Sequence, residues 1–159
     1  MFTKGPIDGV VIRDLVRHTD TRGWLTELFR SDETDAAFLP VMSYVSATEP
    51  GIARGPHEHR DQADVFCFIG PSTFRVYLWD NRPSSHSFQR KMVFDAGEQQ
   101  PRSVIIPAGV VHAYKNIGLR TGWTINLPNR LFAGHGRSAP VDEIRHENNP
   151  ASPFLLDDD

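Results

Sequence analysis

Residues 51–70, GIARGPHEHRDQADVFCFIG, and residues 101–116, PRSVIIPAGVVHAYKN, decide how the rest of the chain is read. In an extended strand His57 and His59 lie two apart and face the same side. Asp64 follows after a short turn, and His112 arrives from a later strand just past Pro107-Ala108-Gly109, with Arg54 close to the first pair. Three imidazoles and one carboxylate are what a proton-transfer site or a metal site needs. As ligands His57, His59, Asp64 and His112 suit Fe, Mn, Ni, Co or Zn, with open positions for substrate.

Outward from these stretches the chain alternates short strand-like runs with turn chemistry. Runs at 41–47, 52–59, 65–69, 74–80, 88–94, 104–106, 111–115 and 123–127 are separated by Pro-Gly, Gly-Pro-Ser, Asn-Arg-Pro and Ala-Gly turns. Near the N-terminus, a run from residue 10 to 16 ends in a polar turn at 18–23, with 24–29 as its hairpin partner. Residues 31–38 read as the one short helix, capped by Ser31 or Asp32 and stopped by Pro40. This spacing predicts an all-β fold, an antiparallel sandwich or jelly roll, rather than βαβ units. In the run 74–80 an aliphatic face (Phe74, Val76, Leu78) alternates with a polar-aromatic one (Arg75, Tyr77, Trp79) that either lines a pocket or packs in the core. From about residue 128 the chain reads as a loop-rich arm with an ordered piece at 141–144 and a frayed acidic end.

The 159 residues, 39% hydrophobic, are enough for one core and too few for two ordinary domains, so residues 1–159 are expected to form a single domain. Seventeen basic against 20 acidic residues, a net charge of -3, mark no basic face for nucleic acid and point to a small-molecule or protein partner. The one cysteine, Cys67, lies in an apolar run and reads as a core residue. With no secretory leader and no run long enough to span a bilayer, the expected location is the cytoplasm, with no membrane partner. His18, His86, His135 and His146 lie in polar surroundings and read as exposed.

The residues resemble the two cupin motifs. Gly51, His57-x-His59, Asp64 and Gly70 follow the first, with Asp for its Glu and one residue fewer before the final glycine. Pro107-x-Gly109-x-x-His112-x-x-x-Asn116 follows the second in full. The resemblance implies a cupin jelly roll, or double-stranded β-helix. Asn116, which closes the second motif, is either an anchor of its own turn or a further substrate contact.

Within the cupins the chain resembles the dTDP-4-dehydrorhamnose 3,5-epimerases. Residues 20–29, DTRGWLTELF, are similar to that family's D-x-R-G-x-x-x-E-x-[FY]; Arg54-Gly55-Pro56-His57 to its R-G-x-H; and residues 106–112, IPAGVVH, to its I-P-x-G-x-x-H. The resemblance implies an enzyme of deoxysugar or polysaccharide biosynthesis acting on a nucleotide-linked 4-keto-6-deoxysugar. It makes His57 the base, Arg54 and His112 its partners in catalysis, and Arg22 and Glu27 contacts to the nucleotide. It also implies a homodimer and no required cofactor. Gly55-Pro56 is a natural place for a bulge that turns Arg54 and His57 the same way.

The chain also departs from that family. Asp64 or its neighbours stand where the family has a lysine, and no tyrosine occurs near 123–126, where its acid is expected. Tyr44, Tyr77 or Tyr114 are candidate replacements, and Asp142 or Asp157 are candidates to partner the base. The family's epimerases lack the second histidine of His57-x-His59, which this chain has. Two further readings therefore stand beside epimerisation or keto-isomerisation: a metal-dependent oxygenase or isomerase of a small molecule, and a non-catalytic sugar-nucleotide-binding cupin.

Overall fold

In a computed structural model, which describes residues 1–156, strands with alternating side chains close around one apolar layer. They are β1 (Thr3–Lys4), β2 (Val11–Asp14), β3 (His18–Asp20), β4 (Gly23–Leu25), β5 (Tyr44–Thr48), β6 (Ala53–Glu58), β7 (Asp64–Phe68), β8 (Thr73–Asp80), β9 (Arg90–Gly97), β10 (Arg102–Ile106), β11 (Val110–Asn116), β12 (Gly122–Asn126) and β13 (Ile144–Arg145). One sheet has the order β1-β9-β8-β11-β6-β13, the other β2-β10-β7-β12-β5, and β3 pairs only with β4. Every pairing is antiparallel except β1 with β9. This is the two-sheet jelly roll expected from the sequence.

The apolar layer joins Phe66 and Phe68 of β7 to Phe74, Val76 and Leu78 of β8, closed by Val104, Ile106, Val110 and Tyr114. Each sheet is also covered over part of its outer face. Val65, Cys67 and Ile105 lie under Leu28 and Phe38 of the 26–40 loop, which explains why β7 is buried at every position. Tyr77 and Trp79 are covered by Phe154 and Phe2, so the two aromatics of that face of β8 pack as core, while Arg75 pairs with Asp95 at the surface.

Two local expectations change. The run beginning at residue 10 becomes β2 and pairs with β10, while the hairpin is the smaller β3–β4 ribbon turning at Thr21-Arg22. In place of one short helix there are two 3₁₀ turns, Ser31–Glu33 and Ala36–Phe38, separated by the extended Thr34. The cap is Asp35, whose carboxylate accepts from the Ala37 N–H, rather than Ser31 or Asp32. A β-branched threonine between two single turns gives helix propagation nothing to build on.

The C-terminal arm is built into the molecule through residue 156. β13 adds to the edge of β6, and the backbone N–H groups of His146 and Glu147 both donate to the Pro56 carbonyl. His146 Nε2 lies 2.8 Å from Glu58 Oε1, so this histidine is a part-buried latch and not an exposed residue. The tail at 157–159, including the candidate Asp157, lies outside the described residues.

Candidate active site

β6 and β11 meet with His57 opposite His112 and Arg54 opposite Tyr114. Two residues of β6, Gly55 and Pro56, thus stand against one of β11, Ala113, which is a β-bulge. Gly55 has φ +79°, and a Cβ there would sit 2.5 Å from the His112 carbonyl oxygen, so the close approach of the two strands requires glycine. The bulge turns Arg54 and His57 into one cavity of about 1380 Å³, floored by β6 and β11 and roofed by residues 128–143 of the arm.

His57, His59 and His112 each offer one ring nitrogen, all within 4.8 Å of one another. The His57 and His112 ring centroids are 4.4 Å apart. His59 Nε2 lies 3.1 Å and His112 Nε2 3.6 Å from Asp64 Oδ2. The other oxygen of Asp64 accepts from Gln62 Nε2 and Asn126 Nδ2, both at 2.9 Å. Gln62 and Asn126 were not anticipated. Asn126 was nevertheless readable as a polar residue in phase with Thr124 on the inward face of its strand.

Burial, reinforced by the neighbouring His112 and His59, pushes His57 down to about 2, so its imidazole is neutral. Burial also lowers His112, against the pull of Asp64. In His59 burial works downward, yet the hydrogen bond and charge of Asp64 with the Asp142 carbonyl outweigh it, and its pKa ends above the ordinary value. Asp64 falls to about 2 because His59, His112 and Asn126 overcome its own burial.

The other expected residues separate into those at the cavity and those away from it. Arg54 lines the cavity, held by the Thr48 hydroxyl at 2.9 Å and the Ala47 carbonyl at 2.7 Å, both neutral oxygens. Tyr44 and Tyr114 line it too, whereas Tyr77 lies in the outer core. Asp142 does not partner His57: its carboxylate accepts from the backbone N–H groups of Arg60, Asp61 and Gln62, and its carbonyl faces His59 Nδ1.

Asn116 is fully buried away from the cavity. Its amide donates to the Thr48 and Arg120 carbonyls, and its oxygen accepts from Ser72 Oγ and the Gly118 N–H. It is therefore a turn anchor, with no free group for a substrate. Arg22 and Glu27 are exposed, paired with Asp20 and Arg30, and neither lines the cavity of its own chain.

A histidine-lined cavity inside a two-sheet jelly roll is the make-up of a cupin. Within that class the chain belongs to the dTDP-4-dehydrorhamnose 3,5-epimerase family, whose model matches residues 4–124. It is 38% identical over 128 residues to the probable low-salt glycan biosynthesis epimerase Agl13 of Haloferax volcanii, covering 79% of this chain and 81% of that protein. It is 35% identical over 112 residues to the spore coat polysaccharide biosynthesis protein SpsL of Bacillus subtilis, covering 70% and 73%. The fold is shared with a dTDP sugar isomerase from Desulfovibrio desulfuricans G20 (19% identity, 94% and 91% coverage, TM-score 0.77). It is shared also with ChmJ, a 3'-monoepimerase from Streptomyces bikiniensis in complex with dTDP-quinovose (21%, 99% and 83%, 0.75). No helix among the described residues is long and apolar enough to cross a membrane.

Proposed function

We propose that the protein epimerises a carbon next to the ketone of a nucleotide-linked 4-keto-6-deoxysugar. The observation that carries this reading is the β6 bulge, which delivers a neutral His57 and the cation Arg54 to one cavity. His57 removes the proton α to the ketone, and Arg54 faces the enolate oxygen that forms. A proton returned to the opposite face inverts the carbon, a sequence of proton transfers that needs no redox cofactor. His112, behind His57, fixes the ring of the base by contact. The relatives named for glycan and spore coat polysaccharide biosynthesis support a place in the making of a surface sugar.

A homodimer fits the same reading, because Arg22 in the turn of the exposed hairpin and Glu27 just after it face away from their own cavity, which leaves a second copy's cavity as the target. The unpaired buried thiol of Cys67 fits a reducing compartment, the cytoplasm. The test is solvent exchange in D₂O with dTDP-4-keto-6-deoxyglucose. Wild-type protein incorporates deuterium next to the ketone, and His57→Ala does not. Exchange retained in that variant excludes His57 as the base.

A further inference from the structure

Glu143 and Arg145, in the C-terminal arm, take no part in the proton transfers above. β13 pairs with β6 so that Arg145 stands opposite His57. Residues opposite one another in an antiparallel ladder share a face, so Arg145 lies beside the base on the cavity side. Its Nε donates to Glu143 Oε2 at 2.7 Å, and both residues line the cavity. The Glu143 side chain is 22% exposed against 59% for Arg145, which puts the carboxylate inside and the guanidinium at the mouth. Burial holds the Tyr44 phenol up and the Glu143 charge adds to this, while burial lowers His112 and the same charge opposes it. The carboxylate is therefore within electrostatic reach of the groups around His57.

Arg145 occupies one oxygen of Glu143, and the other, Oε1, has no hydrogen-bond partner among the described residues. A carboxylate only accepts, and one drawn into a pocket without a donor for its second oxygen carries a desolvation cost that a ligand can remove. A 4-keto-6-deoxyhexose joined to its nucleotide through C1 offers O–H donors at C2 and C3 alone, because C4 is the ketone and C6 a methyl. We infer that Glu143, oriented by Arg145, reads the sugar: its free oxygen accepts a hydrogen bond from the C2 or C3 hydroxyl, and so selects hexoses that keep that hydroxyl. The inference rests on the nucleotide-sugar reading for the kind of ligand. The sugar, rather than the nucleotide, is the part in reach, because Arg145 ties the carboxylate to the position of the base. Both residues follow the stretch 4–124 that the family model matches, so the contact belongs to this chain's own arm.

The experiment measures binding without turnover, by calorimetry on the full chain. The probes are dTDP-6-deoxyglucose, which has no ketone to react, its analogues with fluorine in place of the C2 or the C3 hydroxyl, and dTDP alone. Fluorine cannot donate, so wild-type protein is expected to bind one of the two analogues about 10–100-fold more weakly than the parent sugar, the worth of a hydrogen bond to a charged group. Glu143→Ala should lose a similar factor for the parent, bind parent and analogue equally, and hold dTDP as the wild type does, which also shows that the variant is folded. Glu143→Gln keeps an accepting oxygen and should recover part of the discrimination. Equal wild-type affinity for all three sugars overturns the proposal, as does discrimination retained in Glu143→Ala or an equal loss of dTDP binding in that variant. The keto sugar's deuterium exchange tests the other reading separately. Discrimination without exchange refutes the epimerase and leaves the hydroxyl contact standing, whereas exchange without discrimination removes the contact alone.

Discussion

At the scale of single residues, the second proton is the question that His57 leaves. Tyr44 and Tyr114 both reach the cavity, and their hydroxyls differ in what they have to give. Tyr44 Oη accepts from Asn126 Nδ2 at 2.8 Å, and an amide N–H can only donate, so the phenolic hydrogen of Tyr44 is free to turn toward the cavity. Burial raises that phenol to about 12, which keeps it protonated. Tyr114 Oη instead sits between the hydroxyls of Thr124 (3.1 Å) and Ser46 (3.3 Å), either of which can take its hydrogen. Tyr44→Phe is therefore expected to cut net inversion by about 10²–10⁴-fold, the usual worth of a placed general acid. Deuterium should still wash in with retained configuration, because the base is intact. Tyr114→Phe should do much less. Measuring inversion by NMR alongside exchange by mass spectrometry separates them, and inversion undiminished in Tyr44→Phe removes that residue as the acid. The histidines were legible in the sequence because period-two spacing fixes their common side. The acid was not, since a hydroxyl's direction depends on Asn126, 82 residues away along the chain.

At the scale of elements, strands were legible because their alternation and turns are local. The arm was not, because its order comes from distant partners: Pro56 and Glu58 for His146, residues 60–62 for Asp142, and Trp79 for Phe154. The loop from β8 to β9 is held by a similar device. The fully buried carboxylate of Asp80 accepts from Arg82 Nε (2.8 Å), Ser85 Oγ (2.7 Å) and Ser87 Oγ (2.5 Å). Arg82 Nη2 and Ser87 Oγ in turn bind the Asp8 carbonyl and N–H, so one charge ties the N-terminal segment to the end of β8. Burial pushes the Asp80 pKa up, but the hydrogen bonds from Arg82, Ser85 and Ser87 win and hold it below the carboxylate range. The stability that it supplies is thus complete above the unfolded pKa of about 3.9 and is lost as pH falls through the lower folded value. Asp80→Asn breaks a buried ion pair and should cost about 3 kcal/mol, or roughly 6–12 °C in Tm at neutral pH. Its melting temperature should also fall less steeply than the wild type's on going from about pH 6 to about pH 3. Parallel acid curves for the two proteins would exclude this role.

At the scale of the whole molecule, the β3–β4 hairpin is the part that its own chain leaves uncovered. It pairs with neither large sheet, and it exposes Leu25 at 60% and Trp24 at 49%, with Val16 beside it at 66%. Scattered apolar side chains on a surface are ordinary, but the two-fold dimer proposed above would cover Trp24, Leu25 and the nearby Val16 of both copies at once. The same ribbon carries Arg22, and Glu27 follows it, so a dimer made there would bring these residues to the partner's cavity. Leu25→Glu should then give a monomer in sedimentation and raise KM, since it breaks the contact that delivers Arg22. Arg22→Ala should raise KM and leave the dimer whole. The decisive arrangement mixes subunits: Arg22→Ala and His57→Ala proteins are unfolded, combined in equal amounts and refolded. If Arg22 serves the partner, each mixed dimer regains one cavity with both His57 and a partner's Arg22, and about a quarter of wild-type sites return. If Arg22 serves its own chain, no cavity is restored and the mixture is no more active than its two components. Recovery near a quarter therefore requires both that the hairpin is exchanged and that the nucleotide is held between two copies of the chain.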